Sequence, residues 1–303
     1  MVGRIAKFLR RQTPEPPEVT EAIAQLAHLA ETQADLRQAA ALQSALLRAM
    51  YAAPVAVLPV AMTAEDAVAR LDGGVPLLRN VLLPCEARHL HGIFLHLCEA
   101  AIKVNTQTAP GAPDHAVYIT LAEADKQGRL DLWALGNTWL TGDVQTLPAQ
   151  LEAQGYAADL LLTLLRLTLL PCLEQVATQL APRRATQPWG RGYCPTCGAW
   201  PVLAEQRGLE QLRYLRCGLC ASSWGVDRLL CPFCTTRDFH VLGYLQVEGE
   251  DPRQRVATCD ACQSYLKLRS TLIPLTTPQL LVEEIALVHL DLIAMNKGYS
   301  PPL

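Results

Sequence analysis

Four cysteine pairs of identical spacing constrain this chain more than any other feature: Cys194/Cys197, Cys217/Cys220, Cys231/Cys234 and Cys259/Cys262. Two residues between thiols let one tight turn aim both sulfurs at a single ion, and a tetrahedral ion needs two such turns. The four turns therefore supply two four-thiolate sites. An isolated pair has the spacing of a redox disulfide, but four at these intervals point to metal. Nineteen residues separate Cys197 from Cys217, twenty-four separate Cys234 from Cys259, and only ten lie between Cys220 and Cys231. The simplest arrangement is two consecutive modules, Cys194, Cys197, Cys217 and Cys220 followed by Cys231, Cys234, Cys259 and Cys262. An interleaved pairing, first turn with third and second with fourth, stays open, because spacing does not fix connectivity.

The two halves read as a repeat. In each, a knuckle is followed by β-rich sequence (Leu212-Arg213-Tyr214-Leu215-Arg216; Arg255-Val256-Ala257-Thr258) that leads into the next knuckle. Trp200, Tyr214, Trp224, Phe233 and Tyr265 lie near the knuckles and are expected to supply the small core that such modules cannot build from aliphatics alone. Gly198 and Gly218 adjoin knuckle cysteines and suit tight turns. Four thiolates saturate a tetrahedral ion and leave no position for water or substrate. Structural metal, electron transfer or partner docking fit such a site; hydrolysis does not. Zinc and a single iron fit the donor set equally.

The rest of the chain is helical in pattern. From Glu18 to Met50 the residues Val19, Ile23, Leu26, Leu29, Leu36, Leu42, Leu46 and Leu47 form one apolar stripe. Thr63 is placed to cap a helix from Ala64 to Leu71, ended by Gly73-Gly74. Further helices are expected over Cys85 to Val104 and around 114–140, with a break at Pro110, Gly111 and Pro113. Ala157 to Leu173 contains nine leucines. Asp159, Arg166 and Pro171 interrupt the run, so it reads as the central helix of a buried core, kinked or ended at Pro171, and not as a membrane span. Pro182 to Pro188 reads as a linker. Leu281, Ile285, Val288 and Leu292 predict a terminal helix ending before Gly298.

The expected fold class is α+β and multidomain: an all-α N-terminal domain, two tandem rubredoxin-like or zinc-ribbon-like four-cysteine modules, and a C-terminal helix. The expected divisions are a tail over 1–18, a helical domain over 19–182, a linker over 183–190, modules over 191–225 and 226–276, and the terminal helix over 277–303.

Charge and motif content exclude several functions. The net charge is −3, and residues 190–270 hold ten Lys and Arg against eight Asp and Glu. That is no basic stripe, which disfavours nucleic-acid binding. No phosphate-cradling loop, dinucleotide fingerprint or nucleophile elbow occurs, so no catalytic residue and no enzyme activity is expected. Met1 to Arg11 is basic but lacks an apolar stretch after it, so a solvated or partner-contacting tail is expected, with no secretory signal. Paired thiols at this density suit a reducing compartment. Cys85, Cys98 and Cys172 read as unpaired buried residues, and His89, His91 and His96 as ordinary helix-surface histidines.

Three segments together resemble one known family. They are Cys194-Pro195-Thr196-Cys197-Gly198-Ala199-Trp200-Pro201-Val202, Leu212 to Cys220 followed by Trp224, and Cys259-Asp260-Ala261-Cys262-Gln263-Ser264-Tyr265-Leu266-Lys267. With Lys297-Gly298-Tyr299 and the leucine-rich helix through Leu169-Leu170-Pro171, they are similar to the formate dehydrogenase accessory proteins, the FdhE family. The resemblance implies a cytoplasmic bacterial maturation factor, needed for active respiratory formate dehydrogenase and bound to its catalytic subunit before export. It implies two mononuclear iron sites held by the eight knuckle cysteines, with purely structural zinc as the alternative. A zinc-ribbon nucleic-acid-binding protein is the least favoured alternative, on the charge balance; no nucleic-acid partner and no membrane insertion are expected.

Overall fold

The computed structural model describes residues 15–52, 54–108, 113–142, 144–184 and 189–301. The expectations for residues 1–14, for the break over 109–112 and for the middle of the linker, 185–188, lie outside the described residues.

The stripe from Glu18 to Met50 folds as a helical hairpin and not as one helix. α1 (Pro17–Thr32) and α2 (Arg37–Met50) part at Gln33, whose backbone is extended (φ −129°, ψ 95°). Each helix buries its own share of the stripe, so the periodicity runs through the turn unmarked. α3 (Ala64–Asp72) starts with the expected cap. The Asp66 N–H donates to Thr63 Oγ1 at 3.1 Å, and the Thr63 N–H donates back to the Asp66 carboxylate at 3.4 Å. α4 (Ala87–Thr108) begins two residues after Cys85. The helical stretch expected around 114–140 is two helices, α5 (Pro113–Lys126) and α6 (Leu132–Thr141). Gly128, at φ 67°, turns the chain between them, and Asp131 caps α6 by accepting from the Ala134 N–H at 2.9 Å. A short α7 (Leu147–Ala153) leads into α8 (Ala158–Arg184).

α8 is the axis of the helical unit. It packs against α2, α3, α4, α6 and α7. Leu161, Leu164, Leu165, Leu169 and Leu173 on one face and Leu167, Leu170 and Pro171 on the other are buried, the pattern of a helix enclosed on most sides. It is long and apolar enough by composition to cross a membrane, and 67% of its most apolar window is buried inside the chain. Pro171 does not end it: the helix continues to Arg184.

Beyond α8 the chain forms one six-stranded sheet in the order β3-β2-β1-β6-β5-β4. The strands are β1 (Pro201–Arg207), β2 (Leu212–Cys217), β3 (Ser223–Gly225), β4 (Leu242–Leu245), β5 (Gln254–Cys259) and β6 (Ser264–Thr271). The first three make an antiparallel meander, as do the last three. The repeat expected from the knuckles is thus also a repeat of topology. The halves fuse through a parallel pairing of β1 with β6, Ala204 opposite Leu268 through Arg207 opposite Thr271. Because those strands run parallel, the start of β1 and the start of β6 lie at the same end of the sheet. Both cysteine clusters lie at that end.

The terminal helix predicted by the spacing is two helices, α9 (Thr277–Ala286) and α10 (Val288–Asn296), separated at Leu287. They lie between the two halves of the molecule. α9 touches α1, α2 and β1, while α10 touches β5 and β6. Arg166 of α8 and Glu284 of α9 form a two-pronged ion pair, at 3.0 and 2.6 Å. Lys267 of β6 bonds Asp291 of α10 at 2.7 Å. The Thr277 hydroxyl and the Tyr51 hydroxyl both donate to Glu174.

Candidate metal centres

Each knuckle is built the same way. The residue after its second cysteine has a positive φ: Gly198 at 85°, Ala221 at 54°, Thr235 at 61° and Gln263 at 55°. This left-handed residue folds the turn back, so that the N–H of Cys194 meets the carbonyl of Ala199, that of Cys217 the carbonyl of Ser222, and that of Cys231 the carbonyl of Thr236, each at 2.9 Å. The turn also aims backbone N–H groups at the first sulfur. Thr196 donates to Cys194 Sγ at 3.4 Å, and Leu219 and Cys220 donate to Cys217 Sγ at 3.4 and 3.5 Å. Phe233 and Cys234 do the same for Cys231, and Ala261 and Cys262 for Cys259. Such N–H bonds stabilise a thiolate. Gly218 is required for a different reason. Its φ is ordinary, but a Cβ there would collide with Val202.

The structure brings all eight predicted cysteines together as two sets, in the consecutive arrangement and not the interleaved one. In the first, Cys194 and Cys220 sulfurs stand 3.6 Å apart and those of Cys197 and Cys217 3.4 Å. In the second, Cys231 and Cys262 are 3.7 Å apart, as are Cys234 and Cys259. Sulfurs at tetrahedral corners about 2.3 Å from one ion stand about 3.8 Å apart, so both sets fit a four-thiolate cage.

Electrostatics fit as well. Burial pushes the Cys197 and Cys217 thiols well up, and neighbouring thiols add to this. Against burial, hydrogen bonds from Cys197, Cys217 and Cys220 hold Cys194 well below the usual thiol range. Burial likewise raises Cys231 and Cys259. A divalent cation would ionise such a set together.

The two sets differ in depth. Cys194, Cys197, Cys217 and Cys220 are at most 2% exposed and belong to the same continuous core as α8. In the second set Cys231 and Cys259 are buried, Cys262 is half-buried and Cys234 is exposed. The aromatics expected to form the local core divide similarly. Trp224 and Tyr265 are buried, whereas Trp200, Tyr214 and Phe233 are half-buried. Trp200 and Phe233 meet edge to face at 5.6 Å and bridge the two sets.

The comparisons with known proteins agree with this architecture. Residues 193–228, which hold the first set, match the family described as FdhE, central domain. A protein named FdhE homolog from Edwardsiella ictaluri is 40% identical over 99 residues, 31% of this chain and 31% of that protein. Protein FdhE of Salmonella arizonae is 40% identical over 94 residues, 29% of each chain. These matches thus span less than a third of the curated relatives' length. The crystal structure of the FdhE protein from Pseudomonas aeruginosa extends the likeness to the whole: a TM-score of 0.64 over 96% of both chains, at 25% identity. Over the first cysteine set in sequence, and over nearly its whole length in fold, the chain is similar to FdhE proteins.

Several residues around the clusters were not singled out by sequence reasoning. Ser222 and Ser264 each follow the last cysteine of a set by two residues. The Ser222 hydroxyl lies 3.2 Å from Cys220 Sγ, and Ser264 hydrogen-bonds Cys262. The repeated Cys-x-Ser was the available signal. Arg213 is buried beside the second set and donates to the Leu230 carbonyl at 2.9 Å. Burial lowers its pKa. Among the described residues no carboxylate bonds it. A buried cation without a counter-charge is costly; a dianionic tetrathiolate centre would supply one. Arg166 likewise donates to the Gly218 carbonyl at 2.9 Å, so the knuckle, α8 and α9 meet at one side chain.

The remaining candidates fall away from the clusters. Cys85 and Cys172 were expected to be unpaired, but the structure joins them in a disulfide across 87 residues, with Cα atoms 6.4 Å apart. No local pattern announces such a pair, because one member precedes α4 and the other lies within α8. Cys98 is free and buried, and its thiol is pushed up to about 12, first by burial and then by Asp125. His91 bonds the buried Asp125 at 2.5 Å, and the three α4 histidines join no metal-holding group among the described residues.

Proposed function

We propose that this chain is a cytoplasmic maturation factor for a respiratory formate dehydrogenase, an accessory protein and not an enzyme, that binds the catalytic subunit before export. The FdhE resemblance carries the client and the role. The observation that supports it best is the pair of tetrahedral sulfur cages within a fold that follows an FdhE protein over nearly its whole length.

In this reading Cys194, Cys197, Cys217 and Cys220 hold one metal ion, and Cys231, Cys234, Cys259 and Cys262 hold a second. Iron in such cages would supply a one-electron couple; zinc would only cross-link the knuckles. The chain's own contribution is the same for either: N–H groups aimed at the first sulfur of every knuckle, a half-buried arginine at the first set and a buried one at the second, and an enclosing core around the first. We favour iron at the second set, because Cys234 and Cys262 bring it to the surface, where an electron can reach a partner. A second reading, a docking chaperone with structural zinc, is favoured at the first set by its complete burial.

The test is metal content and an absorption spectrum on protein purified without air or chelator. Near-stoichiometric iron with thiolate-to-iron bands that bleach on reduction supports the redox reading. Zinc in both sites, in protein that still activates the dehydrogenase, would remove it. Failure to co-purify with the formate dehydrogenase catalytic subunit, and unchanged dehydrogenase activity when the chain is deleted, would remove the accessory role itself.

A further inference from the structure

A cleft of about 850 Å³ opens between the loop after α3, the end of α6 and the two knuckles of the first cysteine set. That volume lies in the range of small-molecule sites, roughly 300–1,000 Å³. Trp139, Trp200, Pro76, Val202 and Ile285 give it apolar walls. Most of its polar groups are already engaged. Arg166 is held by Glu284 and the Gly218 carbonyl, and Lys267 by Asp291. The hydroxyls of Tyr193 and Tyr265 donate to the Gly74 carbonyl and to Asp291.

Among the charged groups that line it, Arg79 is the exception. Its guanidinium lies against Gly142 and Gly198, and a Cβ on either glycine would collide with its nitrogens. Both glycines have positive φ, 94° and 85°, so the slot that admits the guanidinium is built into the backbone on two sides. Among the described residues no carboxylate or carbonyl accepts from it. The cleft thus offers apolar and aromatic walls and one unpaired, fixed cation. Neither edge strand of the sheet, β3 nor β4, borders it, so it lacks the row of free backbone groups that recognises an extended peptide.

We propose that this cleft binds a small organic anion, with an apolar planar body against Trp139 and Trp200 and a single carboxylate, sulfonate or phosphate group on Arg79. A bound ligand lies beside Gly198, Gly218 and Leu219, against the backbone of the first cysteine set. The proposal needs neither a client enzyme nor a particular metal, so its fate is separate from that of the accessory role.

Anilinonaphthalene sulfonate is a probe of this chemistry, and its neutral relative phenylnaphthylamine lacks the charge. Titrated into the full chain with its native metal, the sulfonate is expected to saturate one site and to be displaced by naphthoate. Arg79→Gln weakens the sulfonate about tenfold or more, the size of a lost hydrogen bond to a charged group. It leaves phenylnaphthylamine affinity and the near-ultraviolet dichroism of the protein unchanged. On the wild type alone, added salt weakens the sulfonate and spares the neutral dye. Non-saturating binding, an R79Q affinity within about twofold of wild type, or equal salt responses would overturn the proposal. Displacement by an apolar peptide with a free C-terminus, but not by naphthoate, would reassign the cleft to a peptide tail.

Discussion

The difference in depth between the two cysteine sets predicts that they release metal at very different rates. A chelator must reach the sulfurs, so release follows local opening. At the second set little has to move: Cys234 is exposed, and Asp260 and Ala261, between the cysteines of its last knuckle, are exposed too. At the first set the corresponding residues Pro195, Thr196, Gly218 and Leu219 are all buried. Opening it must also uncover Leu219 and loosen Trp224, whose indole N–H donates to the Arg191 carbonyl at 3.0 Å. Burying one large apolar side chain is worth about 1.5–3 kcal/mol, so two add about 3–6 kcal/mol to the cost of opening. At about 1.4 kcal/mol per decade, that slows release by roughly two to four orders of magnitude. Mixed with a colour-forming chelator in excess, the metal-loaded chain should give two phases of equal amplitude. Cys234→Ser should abolish the fast phase and leave the slow one. A single phase, or a slow phase that disappears in C234S, would refute the argument from burial.

Other perturbations test how the halves are joined. Arg166→Met removes the ion pair to Glu284 and the bond to the Gly218 carbonyl, at side chains about one-fifth exposed; a loss of about 2–4 kcal/mol in urea unfolding is expected, since breaking a mostly buried pair strands its partner. Gly218→Ala should cost about 1–3 kcal/mol by overpacking against Val202, read as a lower thermal midpoint. Glu174 is raised above the usual carboxylate range chiefly by burial, although Thr277 and Tyr51 hydrogen bonds oppose this. Its folded pKa therefore exceeds its unfolded one, so its ionisation costs stability as pH rises from the unfolded value through the folded value. Glu174→Gln should then gain stability over wild type from pH 5 to pH 8, measured as the difference in midpoint; a gap that shrinks with rising pH would contradict the assignment.

How much of this was legible follows from which interactions are local. The knuckle spacing alone placed the cysteine sets, because a Cys-x-x-Cys turn is complete within six residues, and the short intervening gaps favoured the pairing that the structure has. Thr63 was legible as a cap for the same reason. The breaks at Gln33 and Leu287 were not, since the flanking helices on each side keep burying apolar residues at helical intervals and the stripe shows no gap. The parallel pairing of β1 with β6 joins segments about sixty residues apart and leaves no period to read. Arg213 was hidden by its setting: in a run of alternating residues an arginine reads as the solvent side of a strand, yet here it is buried.

That buried arginine also explains why the halves of the repeat are not equivalent. Both sets are built from the same turn, the same N–H bonds and the same Cys-x-Ser, so their chemistry is nearly identical at the sulfurs. What differs is the neighbour. The first set is enclosed by the core around α8 and tied through Gly218 to Arg166 and thence to α9. The second is backed by Arg213 from below and open at Cys234 above. One copy of the knuckle module is buried against the helical unit and the other faces outward. Shared strand pairing between β1 and β6 keeps the two at a single end of the sheet, so a partner that reaches the exposed set also lies close to the buried one.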